Sequence, residues 1–416
     1  MTHNAQTSSE QHPAIGLAKF LFENSFFLIA GAVSALLWAN YDEASYLHLI
    51  NAPLPGSITG DYTLLTVVND LLMALFFAMA AKEVWESLLP GGALSAWKTA
   101  ATPLMATLGG VTVPACVYLA GCVMSGKTDE LHRGWAIPCA TDIAFSYLVA
   151  RMVFRQGHPA IPFLLLLAIA DDAAGLLILA IAYPQSVLHP EWMLVAAGAV
   201  GLGLLFRRMG LVSFWWYLLG PGVLSWLSFH HAGIHPALGL VPIIPTLPHA
   251  ARDVGLFEEN PESSTDTLGE FARWWKNPVE LILGFFGLVN AGVVFSNTGT
   301  ATWLVLAGLM LGKPLGITLF TFLGEFLFRL ERPAGMSWRH VLTLGIVAGI
   351  GFTVALFVST AAFPQPGVIQ DSAKMGALAS FASALIAIPV GRLLRVGEED
   401  PVSEADIQLA GQAADQ

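Results

Sequence analysis

Ala-Thr-Asp-Ile-Ala-Phe (140–145), a short basic connection, and then an apolar run (159–183) interrupted by Asp171-Asp172 form the stretch that decides the fold. The run is 25 residues long and Asp171 is its middle residue, so a membrane-spanning helix here holds two carboxylates near the bilayer midplane. An ionisable side chain at that depth costs about 2.5–3.5 kcal/mol on insertion scales, and such residues usually face a cavity and mark an ion or proton path. The three aspartates Asp142, Asp171 and Asp172 are therefore the expected functional centre.

Composition supports a membrane setting. The 416 residues are 55% hydrophobic and only 12% charged, with a mean hydropathy of +0.64, which excludes an ordinary soluble domain. The formal charge of −11 says little about partners, because six acidic residues crowd into the last 20 positions. Nothing points to nucleic acid. Cys116, Cys122 and Cys139 lie in apolar segments without metal-ligand spacing and read as small packing residues. The first 15 residues are polar and lack the basic-then-apolar pattern of a cleaved signal, so the first helix is expected to stay as an anchor. The expected organisation is a polar N-terminal segment (1–17), a transporter domain (18–396) and an acidic tail (397–416).

Twelve apolar stretches are long enough to be considered as spans, centred within 25–40, 63–81, 99–123, 134–150, 159–183, 191–206, 211–229, 232–248, 278–295, 301–328, 341–361 and 374–394. Helices are the expected form, because backbone groups in hydrocarbon must pair within their own segment. Fifteen Lys and Arg residues fall in connections on one side and only Lys127, Arg133 and Lys374 on the other, which places both termini in the cytoplasm and leaves Lys313 inside the membrane. The connection 43–62, rich in Pro and Gly, has room for a short hairpin, and the charged connection 249–277 reads as a solvated linker.

Two spans look unlike the others. The fourth is short, with Pro138 four residues before Asp142; the eleventh carries Gly345, Gly349 and Gly351 just before Thr353. Both residue types weaken a helix, so both spans are expected to unwind locally. They sit at the centres of two three-helix groups, spans 3–5 and 10–12, of opposite topology, and matching interrupted helices in inverted repeats point to a transporter's binding site. Taken alone, the glycines would serve close helix packing equally well. The aspartate beside one break favours the binding site.

Successive helix positions differ by about 100°, so Asp171 and Asp172 do not share a face. Lys313, the one deeply placed cation, either pairs or loses its proton in hydrocarbon; Asp171 is its expected partner, leaving Asp172 largely unpaired. A hard monovalent cation prefers oxygen ligands, here the carboxylates, Thr141 and unwound carbonyls. Sodium and protons competing for the same carboxylates would produce exchange. A purely structural role for the acids fits less well, since one lysine does not neutralise three of them.

These residues make the chain resemble the NhaA family of bacterial sodium/proton antiporters. The resemblance rests on Asn-Asp-Leu-Leu-Met-Ala-Leu-Phe-Phe (69–77), Ala-Thr-Asp-Ile-Ala-Phe (140–145), Asp171-Asp172, Gly-Ile-His-Pro-Ala-Leu (233–238), Asn-Ala-Gly-Val (290–293), Gly-Lys-Pro-Leu-Gly-Ile (312–317) and Gly-Ile-Gly-Phe-Thr (349–353). It implies an all-α polytopic fold of about twelve transmembrane helices, with inverted repeats and with helices four and eleven unwound and crossing. It further implies that Asp172 is the main cation and proton carrier, that Asp171 exchanges its partnership with Lys313, and that Thr141 and Asp142 lie at the crossing. Asp171 and Asp172 would then hold the transported Na+ or Li+. No cofactor is expected. By the same resemblance, the expected partners are the lipid bilayer, Na+, Li+, H+ and a second copy in a homodimer, in a bacterial inner membrane, and transport is expected to be electrogenic because family members move more protons than sodium ions.

The departures concern pH control. Where the family has Glu-Val-Lys-Arg-Glu, this chain reads Glu83-Val84-Trp85-Glu86-Ser87, and the start of the ninth helix reads Arg273-Trp274-Trp275-Lys276-Asn277. Glu83, His235 and Asp70 remain as expected pH-sensing or access-funnel residues. Two alternatives fit the sequence less well. A sodium-coupled organic-anion symporter would need a further polar pocket. An intramembrane aspartyl protease would need Tyr-Asp and Gly-x-Gly-Asp motifs, which are absent around Asp142, Asp171 and Asp172. A passive channel would need ligand rings along a pore.

Overall fold

The structure, a computed structural model, describes residues 25–53, 62–249 and 266–396. The polar segment 1–17, the tail 397–416, most of the 249–277 connection and Pro55, Gly56 and Gly60 lie outside the described residues. What is described is helical, with one isolated antiparallel bridge between Pro53 and Thr63.

In chain order the helices are α1 (Phe26–Tyr41), α2 (Glu43–Asn51), α3 (Leu64–Leu88), α4 (Trp97–Met124), α5 (Thr128–Cys139), α6 (Ile143–Val153), α7 (Ala160–Ala182), α8 (Trp192–Arg208), α9 (214–232), α10 (Pro236–Thr246), α11 (Thr267–Asn290), α12 (Thr300–Phe328), α13 (Trp338–Ala348), α14 (Phe352–Ala362) and α15 (Val368–Leu393). Among the described residues, five helices are long and apolar enough to cross a membrane, and seven if each bent pair, α5 with α6 and α13 with α14, counts as one crossing. The chain is a multi-pass membrane protein.

One connection carries a helix, and one expected span is not regular α-helix. Residues 43–51 form α2, whose first turn is capped by the Asp42 carboxylate accepting from Ser45 N at 3.0 Å, and the antiparallel bridge from Pro53 to Thr63 fits the short hairpin for which the connection has room. Residues 236–246 are 3-10 turns and not a regular α-helix. Pro236, Pro242 and Pro245 remove the amide donors that an α-helical ladder would need.

Small residues bring the long helices together. α1 lies along α11 with Gly31 against Gly284, where an added Cβ on Gly31 would meet the Gly284 carbonyl oxygen at 2.1 Å. α4 and α12, the opening spans of the two expected repeats, meet at Gly109 and Gly316, whose backbones approach just as closely. Without a solvent-driven force between helices in lipid, such contacts supply the packing that holds a bundle. The cysteine reading needs one correction. Cys122 and Cys139 are buried, but Cys116 is exposed, because α4 presents an outward face there.

Candidate functional site at the two helix breaks

The bent pairs supply the site. α5 and α6 meet at 54° and α13 and α14 at 51°, and the two breaks are joined by a hydrogen bond from Asp142 N to Ile350 O at 2.7 Å. Each break leaves a C-terminal and an N-terminal half-helix end inside the protein. The orphan amides and carbonyls at such ends need partners.

Asp142 serves both N-terminal ends. Its Oδ1 accepts from Phe145 N of α6 at 3.3 Å, and its Oδ2 accepts from Thr353 N of α14 at 3.1 Å and from the Thr353 hydroxyl. A carboxylate is the natural cap for a helix N-terminus, since it satisfies free amides and lies on the positive end of the dipole. Here one carboxylate caps two.

The C-terminal ends are served by a cation and a hydroxyl. Lys313 Nζ donates to Cys139 O, the last carbonyl of α5, at 2.6 Å. The Thr141 hydroxyl lies 2.6 Å from Asp171 Oδ2 and 3.2 Å from Ala348 O, the last carbonyl of α13. Ser146 Oγ donates to Val347 O at 3.1 Å, and Gly351 N donates to Ser380 Oγ at 3.3 Å, tying α15 to the second break.

Lys313 also lies 2.9 Å from Asp171 Oδ2, with both side chains fully buried. This is the member of the doublet with which the sequence pairs it. Lys313 follows a π-helical stretch of α12, Gly308–Gly312, a local widening that is common at functional sites. Asp171 Oδ1 is buried without a hydrogen-bond partner and borders a small enclosed cavity lined by Val111, Ala140, Gly175, Ile178 and Val354. A buried carboxylate oxygen left unpaired is costly, so the ion pair is only half satisfied.

Asp172, one position on, is half-buried, and among the described residues it has no hydrogen bond or ion pair. Its charged neighbours are Asp171, Asp142, Lys313 and Glu83. The structure thus gathers Thr141, Asp142, Asp171, Asp172 and Lys313 into one cluster.

Among the described residues, no hydrogen bond or ion pair joins the expected funnel residues to this cluster. His235 is buried, its Nδ1 accepting from Ala237 N at 3.4 Å, and lies 3.9 Å from Asp70 Oδ1, against the ring of Phe357. Glu83 is partly exposed at the end of α3, where Lys82 lies between it (3.1 Å) and Glu86 (2.6 Å). The family's basic pair is missing from this end, and Lys82, just before Glu83, supplies a cation there. In sequence Thr353 is only the close of a glycine motif. Its place as the counterpart of Thr141-Asp142 in the second broken helix is the signal that it belongs to the junction of the two breaks.

A family model described as Na+/H+ antiporter 1 matches residues 21–390. The chain belongs to the Na+/H+ antiporter 1 family. Among its relatives in that family, the Na+/H+ antiporter NhaA of Jannaschia sp. is 50% identical over 417 residues, covering 92% of this chain and 98% of the relative. The Na+/H+ antiporter NhaA 2 of Pelobacter propionicus and the Na+/H+ antiporter NhaA of Geobacter sulfurreducens are 49% and 48% identical, each alignment covering 90% of this chain and 97% of the relative. Among solved structures, the sodium proton antiporter MjNhaP1 of Methanocaldococcus jannaschii aligns with a TM-score of 0.51 over 91% of this chain and 100% of that one. At 14% identity that likeness concerns the fold.

Proposed function

We propose that the chain exchanges cytoplasmic Na+ or Li+ for external H+ by alternating access, the cation and protons taking turns on the carboxylates at the crossed breaks. The carrying observation is that Asp172 stands unpartnered and partly accessible beside an Asp171–Lys313 pair that already holds the cluster's one lysine. Asp172 is the principal carrier. Sodium binding draws on its carboxylate, with Asp171, Thr141 and the freed carbonyls of the breaks as further oxygen donors. When Asp171 turns toward the ion, Lys313 keeps the Cys139 carbonyl and loses its carboxylate partner, so the pair acts as a hinge for charge. Asp142 keeps the two half-helices aligned while the cluster's charge changes. Because several carboxylates and one lysine share the site, their protons leave as a coupled group.

The family name of the relatives supports antiport over the organic-anion symporter and the aspartyl protease. In this reading the twelve segments each cross a bacterial inner membrane, spans 3–5 and 10–12 are inverted repeats, both termini are cytoplasmic, and the working unit is a homodimer. More protons than sodium ions move per cycle, and no cofactor takes part. Glu83, His235 and Asp70 act on access and pH response.

The test is exchange in proteoliposomes. Adding Na+ should collapse an imposed pH gradient in the wild type and not in D172N, and at alkaline pH Na+ should raise the melting temperature of the wild type alone, since a ligand stabilises the state that binds it. Wild-type exchange in D172N would remove Asp172 as carrier.

A further inference from the structure

We propose that Glu280 is a proton relay between the cytoplasm and the helix crossing, a role that rests on the antiport reading above. The first half of α11 carries an interfacial stretch, Arg273-Trp274-Trp275-Lys276, of the kind that marks a membrane boundary. Glu280 lies four residues beyond Lys276, about 6 Å deeper along the helix, and it is the sole acid in the apolar half of α11 that follows Pro278. The Ser25 side chain hydrogen-bonds it, and its Oε2 is buried without a partner.

A helix staple does not need this chemistry. Ser25 is itself buried at the start of α1, and a neutral amide would hold it without the cost of a half-satisfied carboxylate. A carboxylate is useful there if it accepts and gives up protons. It lies within electrostatic reach of Asp142 on one side and Lys276 on the other. Of the elements packed along α11, α1 and α14 carry no charged side chain, and α9 contributes only His230 and His231 at its C-terminal end. α3 contributes Asp70, which faces His235, and Lys82 with Glu83 and Glu86, which pair among themselves. Glu280 is thus a separate acidic step, reached from α11 and not from the α3 end where Glu83 lies. When the site opens to the cytoplasm, a carboxyl of the crossing gives its proton to the Glu280 carboxylate, which passes it to cytoplasmic water and returns to its anionic form.

The test compares E280Q with E280D in proteoliposomes of known orientation. Glutamine keeps the size and the hydrogen bond to Ser25 but does not carry a proton, whereas aspartate keeps the proton chemistry on a shorter arm. The relay predicts at least a fivefold slower turnover for E280Q, sensitive to pH on the cytoplasmic face and not on the external face. It also predicts Na+ binding at alkaline pH within twofold of wild type, and recovery of more than half the lost rate in E280D. Wild-type turnover in E280Q, a better rate in E280Q than in E280D, or unfolding of E280Q alone would each make Glu280 structural and overturn the proposal. D172N, measured alongside, keeps the two readings apart: if it exchanges normally, the carrier assignment has failed and not merely the relay.

Discussion

The break at 140–142 and the break at 349–351 share a shape, bent by 54° and 51°, and divide the chemistry between them. The first carries an acid, Asp142, and a hydroxyl, Thr141, flanked by Pro138. The second has no ionisable residue: it offers glycines, backbone groups and Thr353. Were both breaks acidic, two fixed carboxylates would face each other without enough cations. With one acid capping both N-terminal ends, a single negative charge satisfies four half-helix ends together with Thr141 and a lysine from α12. The difference teaches that two joined helix breaks need only one charged member when the other is built for close approach.

That comparison is breakable. The largest effect should come from K313A, which leaves Asp171 buried with no cation and removes the donor to Cys139 O; loss of one partner of a buried pair costs about 3–5 kcal/mol. Thermal unfolding in detergent should show a large drop in melting temperature, and an unchanged value would mean that the first break does not depend on the borrowed charge. T353V should come next. It removes the hydroxyl donor to Asp142, and hydrogen bonds to charged groups are worth about 1.5–3 kcal/mol. Apparent Na+ affinity by titration should weaken about tenfold, and wild-type affinity would show the second break to be a mere spacer.

G349A probes the close approach directly. A Cβ there would sit 2.6 Å from Leu309 O and 3.0 Å from Ser383 Oγ, and overpacking of this kind costs about 1–3 kcal/mol. Slower exchange with nearly unchanged Na+ binding is the expected pattern; full activity would mean that the second break tolerates bulk as the first does. The smallest effect belongs to S380A, which removes the acceptor for Gly351 N and should lower stability by about 0.5–1.5 kcal/mol. A loss as large as that of K313A would shift the weight of the site toward α15.

Much of the cluster was legible in the chain. Asp171, Asp172 and Lys313 stand out because a charge in an apolar run is costly enough to need a reason, and Pro138 and the glycines near Thr353 announce where helices fail. Less legible was what the failures connect. Nothing local in Ala-Thr-Asp-Ile-Ala-Phe says that Asp142 will accept from an amide 211 residues away. In sequence Lys82 is one more basic residue at a helix end, and only the fold pairs it with Glu83 and Glu86. Glu280 follows an interfacial stretch that gives no sign of its role, and only the folded chain shows its Oε2 buried without a partner.

The sequence by itself determined that this chain is helical, lies in a membrane and carries charges inside its apolar segments, because the cost of taking polar groups out of water is set residue by residue and by period. The tertiary structure alone decided which half-helix end each charge serves and which residues join the two breaks. Those outcomes depend on hydrogen bonds and ion pairs between segments far apart in the chain, whose geometry no local pattern encodes.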